Sequence, residues 1–374
     1  MTQIKKAYIG AQIHDGFTLH LHHALAVFAD GSRRVMDANA LPKGCPTQVL
    51  TGGMITPGFV DLQVNGGGGI MFNDDQSVAA LTTIAQAHLS TGTAAILPTL
   101  ITDTPARTRA AIDAVAQAIT QKVAGIIGIH LEGPHLSVAR KGAQDPNLIR
   151  KMTDDDLALL LKAAETLPNV MVTVAPETTS NAQIKTMADA GIIVSLGHTD
   201  ADYQTCIGAF DVGARCVTHL FNAMSQLGSR EPGLVGAPLS RGDIYAGFIA
   251  DGVHVNPATI GIALAAKPRS EHIFLVTDAM ATLGSAIDSF QLNGRDVFRK
   301  HQQLTLADGT LAGADLEIPR ALSFMMNDVG DSPELAIPRA TTTPASLLRE
   351  SSGVGRLEAA AVYLPAEGGK PVLL

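Results

Sequence analysis

Glu132, His198, His219 and Asp278 each stand at the end of a short apolar run rich in β-branched residues, and their types suit a metal centre with an acid-base partner. Glu132, in HLEGPH, offers a hard carboxylate ligand, and His198, in SLGHTD, and His219, in VTHLFNAM, offer imidazoles. Two histidines and one carboxylate, with a coordination position left for water, are a frequent catalytic zinc set. Asp278, in LVTDAM, is able to take a proton from water and return it to a leaving amine. Each residue alone has a plainer explanation: any of the 12 histidines can serve packing or the surface, and Asp is a favoured helix N-cap. The shared position at strand ends is what joins them into one candidate site.

Residues so far apart in the chain meet only if the fold gathers strand ends. After residue 57 the texture alternates strand with helix, and the candidate strands are 58–64, 93–99, 125–131, 170–175, 192–197, 214–218, 244–250 and 272–277. SVAALTTIAQAHL and TPARTRAAIDAVAQAI show helical spacing after the first two. This pattern predicts an α/β protein built on a (β/α)8 TIM-like barrel, whose C-terminal strand ends carry chemistry. A doubly wound open sheet is the alternative, but it would normally carry a phosphate fingerprint after its first strand. NGGGG, 65–69, lacks a following Gly-Lys-Ser/Thr and reads as a permissive turn. Residues 4–56 read as a small antiparallel β region, and LEAAAVYLP and KPVLL, after a final helix near 318–327, as strands that rejoin it. The expected division is 1–56 plus 349–374 as a small β-sandwich domain and 57–348 as the catalytic barrel.

Composition narrows the function. A net charge of -8 and 4% aromatic residues provide no basic or stacking footprint for nucleic acid or an anionic membrane. The longest apolar stretch, 246–266, contains Asp251, His254, Asn256 and Pro257, which argues against a transmembrane helix. Cys45, Cys206 and Cys216 have no CxxC spacing, and no signal-peptide pattern opens the chain, so a cytoplasmic protein is expected. Cys216 is read as packing.

The segments PGFVDLQVNGGGG (57–69), HLEGPH with RKGAQDP (140–146), SLGHTDAD (195–202), THLFNAMSQLGSREPGLVG (218–236), ADGVHVNP (250–257) and LVTDAM (275–280) resemble the N-acetylglucosamine-6-phosphate deacetylases of the amidohydrolase superfamily. The resemblance implies a metal held by Glu132, His198 and His219, with Asp278 as general base and then general acid. Many amidohydrolases bind a second metal through a His-x-His pair at the first strand end. Here Gln63 and Asn65 stand there, and neutral amides are poor ligands, so one divalent ion per subunit, zinc, is expected. The same resemblance places Arg230, His254, Asn222 and the backbone at Ala223 around the 6-phosphate of N-acetylglucosamine 6-phosphate, with phosphate contacts crossing the interface of a homodimer.

Two departures stand out. Where the family carries a histidine that binds substrate and orients its acetamide carbonyl, this chain has Gln144, which donates hydrogen bonds but carries no charge. His135 is a candidate to compensate. The usual Gly-x-x-Ala-Asp-Leu strand signature is not found after Gly355. The expected reaction is metal-dependent deacetylation of the sugar phosphate in amino-sugar catabolism or recycling. The alternatives are another amidohydrolase activity, such as a cyclic amidase or aminohydrolase, and a sugar-phosphate-binding homologue impaired by Gln144.

Overall fold

Eight parallel strands form the centre of the computed structural model, which describes residues 3–351, 353–366 and 368–374. In chain order they are Phe59–Val64, Thr93–Ile101, Ile129–Glu132, Val170–Val174, Ile193–Leu196, Cys216–Val217, Tyr245–Phe248 and Ile273–Leu275. Each pairs in parallel with the next. The first strand meets the segment just past the last one through an isolated parallel bridge, Val64 to Ala279, so the sheet is a nearly closed barrel. Buried Val, Ile, Leu and Phe side chains from these strands and the surrounding helices make one continuous core.

Helix starts are written locally. Ser77 caps Val78–Leu89, Thr104 precedes Pro105 at the head of Pro105–Thr120, and Thr153 with Asp156 forms a capping box on Asp154–Thr166. Ser180 with Gln183 does the same for Asn181–Asp189, and Asn256 caps Pro257–Ala266. Helix Ile318–Phe324 runs on through a wider turn, Met325–Val329, to Gly330 at φ 84°, but it is not the final helix expected from the sequence, since Pro333–Arg339 and Thr342–Leu347 follow it.

Three further sequence expectations need correction. The third strand is shorter than 125–131 and ends on Glu132 itself, not before it. Gly128, at φ 153°, passes so close to Asn169 that a Cβ would lie 2.2 Å from the Asn169 carbonyl oxygen, and regular pairing starts only after it. The N-terminal region is mixed rather than antiparallel: Ile4–Ile9 pairs antiparallel with His23–Phe28 but parallel with Thr47–Val49, and Gln12–His14 pairs parallel with Met54–Pro57. The long excursion between Ile9 and Thr47 is what permits a parallel return. Finally, residues 289–314 form a four-stranded antiparallel sheet, Ser289–Leu292, Arg295–Lys300, Gln303–Leu306 and Leu311–Ala314, which the sequence reading left unassigned.

Ala361–Leu364 pairs with Met54–Pro57, and Tyr8, Ile13, Leu25, Ile55, Leu357, Ala361 and Tyr363 share a separate core, so both ends of the chain pack together. Residues 1, 2, 352 and 367 of the expected end-built domain lie outside the described residues.

Candidate metal centre and active site

Four strands deliver four side chains to one point. Glu132 closes the third strand, while His198, His219 and Asp278 each sit just past a strand, after Leu196, Val217 and Leu275. All three of the latter have positive φ, 48°, 30° and 52°, and Ala223 has 50°. Such conformations cost non-glycine residues energy and persist where the surroundings hold them.

Glu132 Oε1 lies 3.1 Å from His219 Nε2 and 3.4 Å from His198 Nε2, and the two Nε2 atoms are 3.1 Å apart. Among the described residues no other trio of His, Cys, Asp or Glu side chains brings its ligand atoms within 4.8 Å. His198 Nδ1 is 2.9 Å from the Arg140 carbonyl, to which only an N–H can donate, so in its neutral form the ring turns the Nε2 lone pair towards the trio. His219 Nδ1 is buried without a partner. The donor set therefore fits a divalent cation. Burial opposes ionisation of Glu132, yet the hydrogen bonds and charges of His198 and His219 hold its carboxyl well below the usual range; burial likewise opposes the charging of His219, and Glu132 raises it regardless.

Gln63 and Asn65 point amide donors at carboxylates. Gln63 Nε2 donates to Glu132 Oε1 and Asp278 Oδ1, both at 3.0 Å, and Asn65 Nδ2 donates to Asp278 Oδ1 at 2.6 Å. Donors, not lone pairs, face the place a second cation would take. Burial, reinforced by the Glu132 charge and opposed by His219 and Asn65, pushes Asp278 up to about 6, which poises it to exchange a proton near neutral pH.

Gln144 is buried, and its Oε1 accepts from Thr102 N–H at 2.9 Å while Nε2 donates to Glu132 Oε2 at 3.3 Å. Its amide is thus engaged with a candidate ligand. His135 does not stand in for the missing histidine: Nδ1 lies 3.1 Å from the Arg150 carbonyl and Nε2 3.9 Å from Asp156, away from the cavity. A cavity of about 390 Å³ opens over the trio, lined by Asn65, Glu132, Gln144, His198, His219, Asn222, Ala223, His254 and Asp278. His254 Nδ1 is tied to Asp251 at 2.7 Å. Arg230 is exposed and does not line this cavity.

The sequence reading missed Arg140, Ile101, Met280, Leu292, Thr310 and Gly313, which also line the wall. Leu292 and Thr310 belong to the unassigned antiparallel sheet and the turn before its last strand, and Arg295 from the same sheet donates to the Ala143 carbonyl beside Gln144. Signals for that sheet were present: Asn293-Gly294, with φ 49° and 74°, and Asp308-Gly309 are hairpin pairs.

A profile of the amidohydrolase family matches residues 54–360. An N-acetylgalactosamine-6-phosphate deacetylase of Shewanella sp. (strain ANA-3) is 44% identical over 304 residues, covering 81% of this chain and 76% of that protein. An N-acetylglucosamine-6-phosphate deacetylase of Haemophilus influenzae is 32% identical over 358 residues, covering 95% and 93%. The crystal structure of N-acetylglucosamine-6-phosphate deacetylase from Pasteurella multocida superposes with a TM-score of 0.91 at 30% identity, covering 99% of this chain and 100% of the other.

Proposed function

The chain belongs to the amidohydrolase family, and we propose that it hydrolyses the acetamide of N-acetyl-D-glucosamine 6-phosphate to D-glucosamine 6-phosphate and acetate. The observation that carries this reading is the convergence of Glu132, His198 and His219 beside a buried Asp278 at the mouth of the barrel. A single divalent ion held by those three residues, zinc on the mixed nitrogen and oxygen donor set, would polarise the acetamide carbonyl and ease deprotonation of water.

The protein's own groups do the rest. Asp278 takes a proton from the attacking water as the new C–O bond forms, and returns it to nitrogen as the C–N bond breaks and acetate departs. Gln63 and Asn65 both grip Oδ1, which leaves Oδ2 to carry that proton. Gln144 steadies Glu132 and stands at the cavity wall. His254, Asn222 and the Ala223 backbone are proposed to receive the 6-phosphate. Arg230 would reach it only from a second subunit, and exposed Leu227 and Ile262, 56% and 67% accessible, accord with a homodimer. Residues 57–348 form the proposed catalytic domain, with 1–56 and 349–374 its small β companion. A charged sugar phosphate does not cross membranes unaided, which accords with a cytoplasmic site of action; no helix among the described residues is long and apolar enough to span one.

A second reading exchanges the sugar for its 4-epimer, N-acetylgalactosamine 6-phosphate, on the strength of the 44% identical Shewanella relative. Acetate release from both phosphorylated sugars, by protein reconstituted with zinc, tests the two together. A higher kcat/KM for one epimer assigns the substrate. No release from either, with zinc content confirmed, would show a binding protein impaired in turnover; release only from a cyclic amide would reassign the activity within the family.

A further inference from the structure

We propose that Asp61 is a positioning residue that pins the first barrel strand to the last and thereby sets Asp278 and the Gln63 amide for the reaction proposed above. Among the described residues, the seam between Phe59–Val64 and Ile273–Leu275 has no ladder; it is crossed by backbone bonds only beyond the end of the last strand, from Asp278 N–H to the Gln63 carbonyl at 3.1 Å and from Asn65 N–H to the Ala279 carbonyl at 2.9 Å. Asp61 lies in that seam. Its Oδ1 accepts from Gln63 N–H at 3.1 Å, and its two oxygens each lie 3.3 Å from Thr277 N. The Thr277 hydroxyl donates to Oδ2 at 2.5 Å and itself accepts from Ala279 N–H at 3.2 Å. Asp278, at φ 52°, sits between the two backbone N–H groups so held.

The surroundings make a packing role insufficient. Phe59, Val60, Leu62 and Val64 are all buried and apolar, and a fully buried carboxyl among them is costly unless its hydrogen bonds do something an apolar side chain would not. Strand alternation puts Asp61, Gln63 and Asn65 on one face, in a column that rises to the two amides gripping Asp278. Asp61 makes no hydrogen bond to Glu132, His198 or His219; its one path to them runs through Gln63, whose amide also donates to Glu132 Oε1, so zinc affinity must be read beside kcat.

The test uses Asp61→Asn and the near-isosteric pair Thr277→Val and Thr277→Ser in the full chain. Four quantities are read: kcat, KM, zinc affinity by chelator competition, and amide hydrogen exchange of the segment 275–281. Asp61→Asn and Thr277→Val should lower kcat roughly 10- to 100-fold, leave KM and zinc affinity within about threefold, and speed exchange at Thr277 and Ala279 at least about tenfold. Thr277→Ser, which keeps the hydroxyl, should recover most of the Thr277→Val loss. Unchanged kcat with a lowered melting temperature alone would make Asp61 merely structural, and a parallel loss of zinc would route the effect through the ligands; either overturns the proposal. Should the parent protein release no acetate, the reading of its function fails, whereas exchange still decides whether Asp61 holds the seam. If Asp61→Asn does not fold, the Thr277 pair carries the same comparison.

Discussion

Replacing Gln144 with leucine separates two roles that the site makes distinct. The Gln144 amide joins Thr102 N–H, at 2.9 Å, to Glu132 Oε2, at 3.3 Å, in a buried setting. Leucine keeps the bulk and removes both bonds. The orphaned Thr102 N–H should cost about 1–3 kcal/mol of stability, with the lost contact to Glu132 adding about 1 kcal/mol or less because it is long. An orienting partner of a ligand typically changes metal affinity by about 10- to 100-fold, and the lower end is expected here for the same reason. Zinc affinity measured by chelator competition should therefore fall about tenfold, while KM for the phosphorylated sugar at saturating zinc stays within about twofold. Gln144→His, whose ring offers one acceptor nitrogen and one N–H donor, can meet both partners and should hold zinc as tightly as the parent. Gln144→Glu sets a carboxylate about 3.3 Å from Glu132; at an effective dielectric near 20 the repulsion is about 5 kcal/mol, enough to keep one of the two protonated at neutral pH and to make zinc binding strongly pH-dependent. The result that refutes this reasoning is a tenfold rise in KM for Gln144→Leu with zinc affinity unchanged. That outcome would put the amide on the substrate instead of on Glu132.

Further outcomes follow from the same geometry. His254→Ala should raise KM for the 6-phosphate by about 10- to 100-fold, the range of a charge-assisted hydrogen bond, and leave the unphosphorylated sugar nearly untouched; equal losses would remove it from the phosphate site. Arg230→Ala should show the same selectivity in a dimer whose mass, checked by light scattering, is unaltered. Because Asp278 must be ionised to accept a proton and burial holds it at about 6, kcat/KM should fall tenfold per pH unit on the acid side, and a bound cation should draw that limb lower. Asp278→Asn should lose the limb together with about 10²- to 10⁴-fold in kcat while retaining zinc. Zinc at about 100 times its dissociation constant should stabilise the fold by about 2.7 kcal/mol, and a melting temperature that does not move would argue against binding at the trio.

The barrel was legible because its strands are short, β-branched and separated by helices with local caps, so type and order needed no tertiary information. The four central residues were legible for a related reason: each is the first polar group after such a run. What the sequence concealed were partners. Nothing near Gln144 in the chain announces Thr102 or Glu132, and nothing near Asp61 announces Thr277, which lies 216 residues away. The antiparallel sheet at 289–314 failed differently: its turn pairs and the polar-apolar alternation of SFQL and QLTL were visible, but these strands had no place in an eightfold count.

These two kinds of legibility divide the labour of the site. His198, His219 and Asp278 occupy left-handed conformations that their own side chains disfavour, so the residues proposed to do the chemistry cannot hold themselves. They are held from other strands: His198 Nδ1 by the Arg140 carbonyl, Asp278 by Gln63, Asn65 and the Asp61–Thr277 seam, and Glu132 by Gln63 and Gln144. A motif can therefore name the reacting groups while the residues that fix their geometry remain scattered. On this argument the Gln144 departure bears less on the identity of the reaction than on how firmly Glu132 is held, and zinc affinity, before turnover, is the quantity in which it should first be seen.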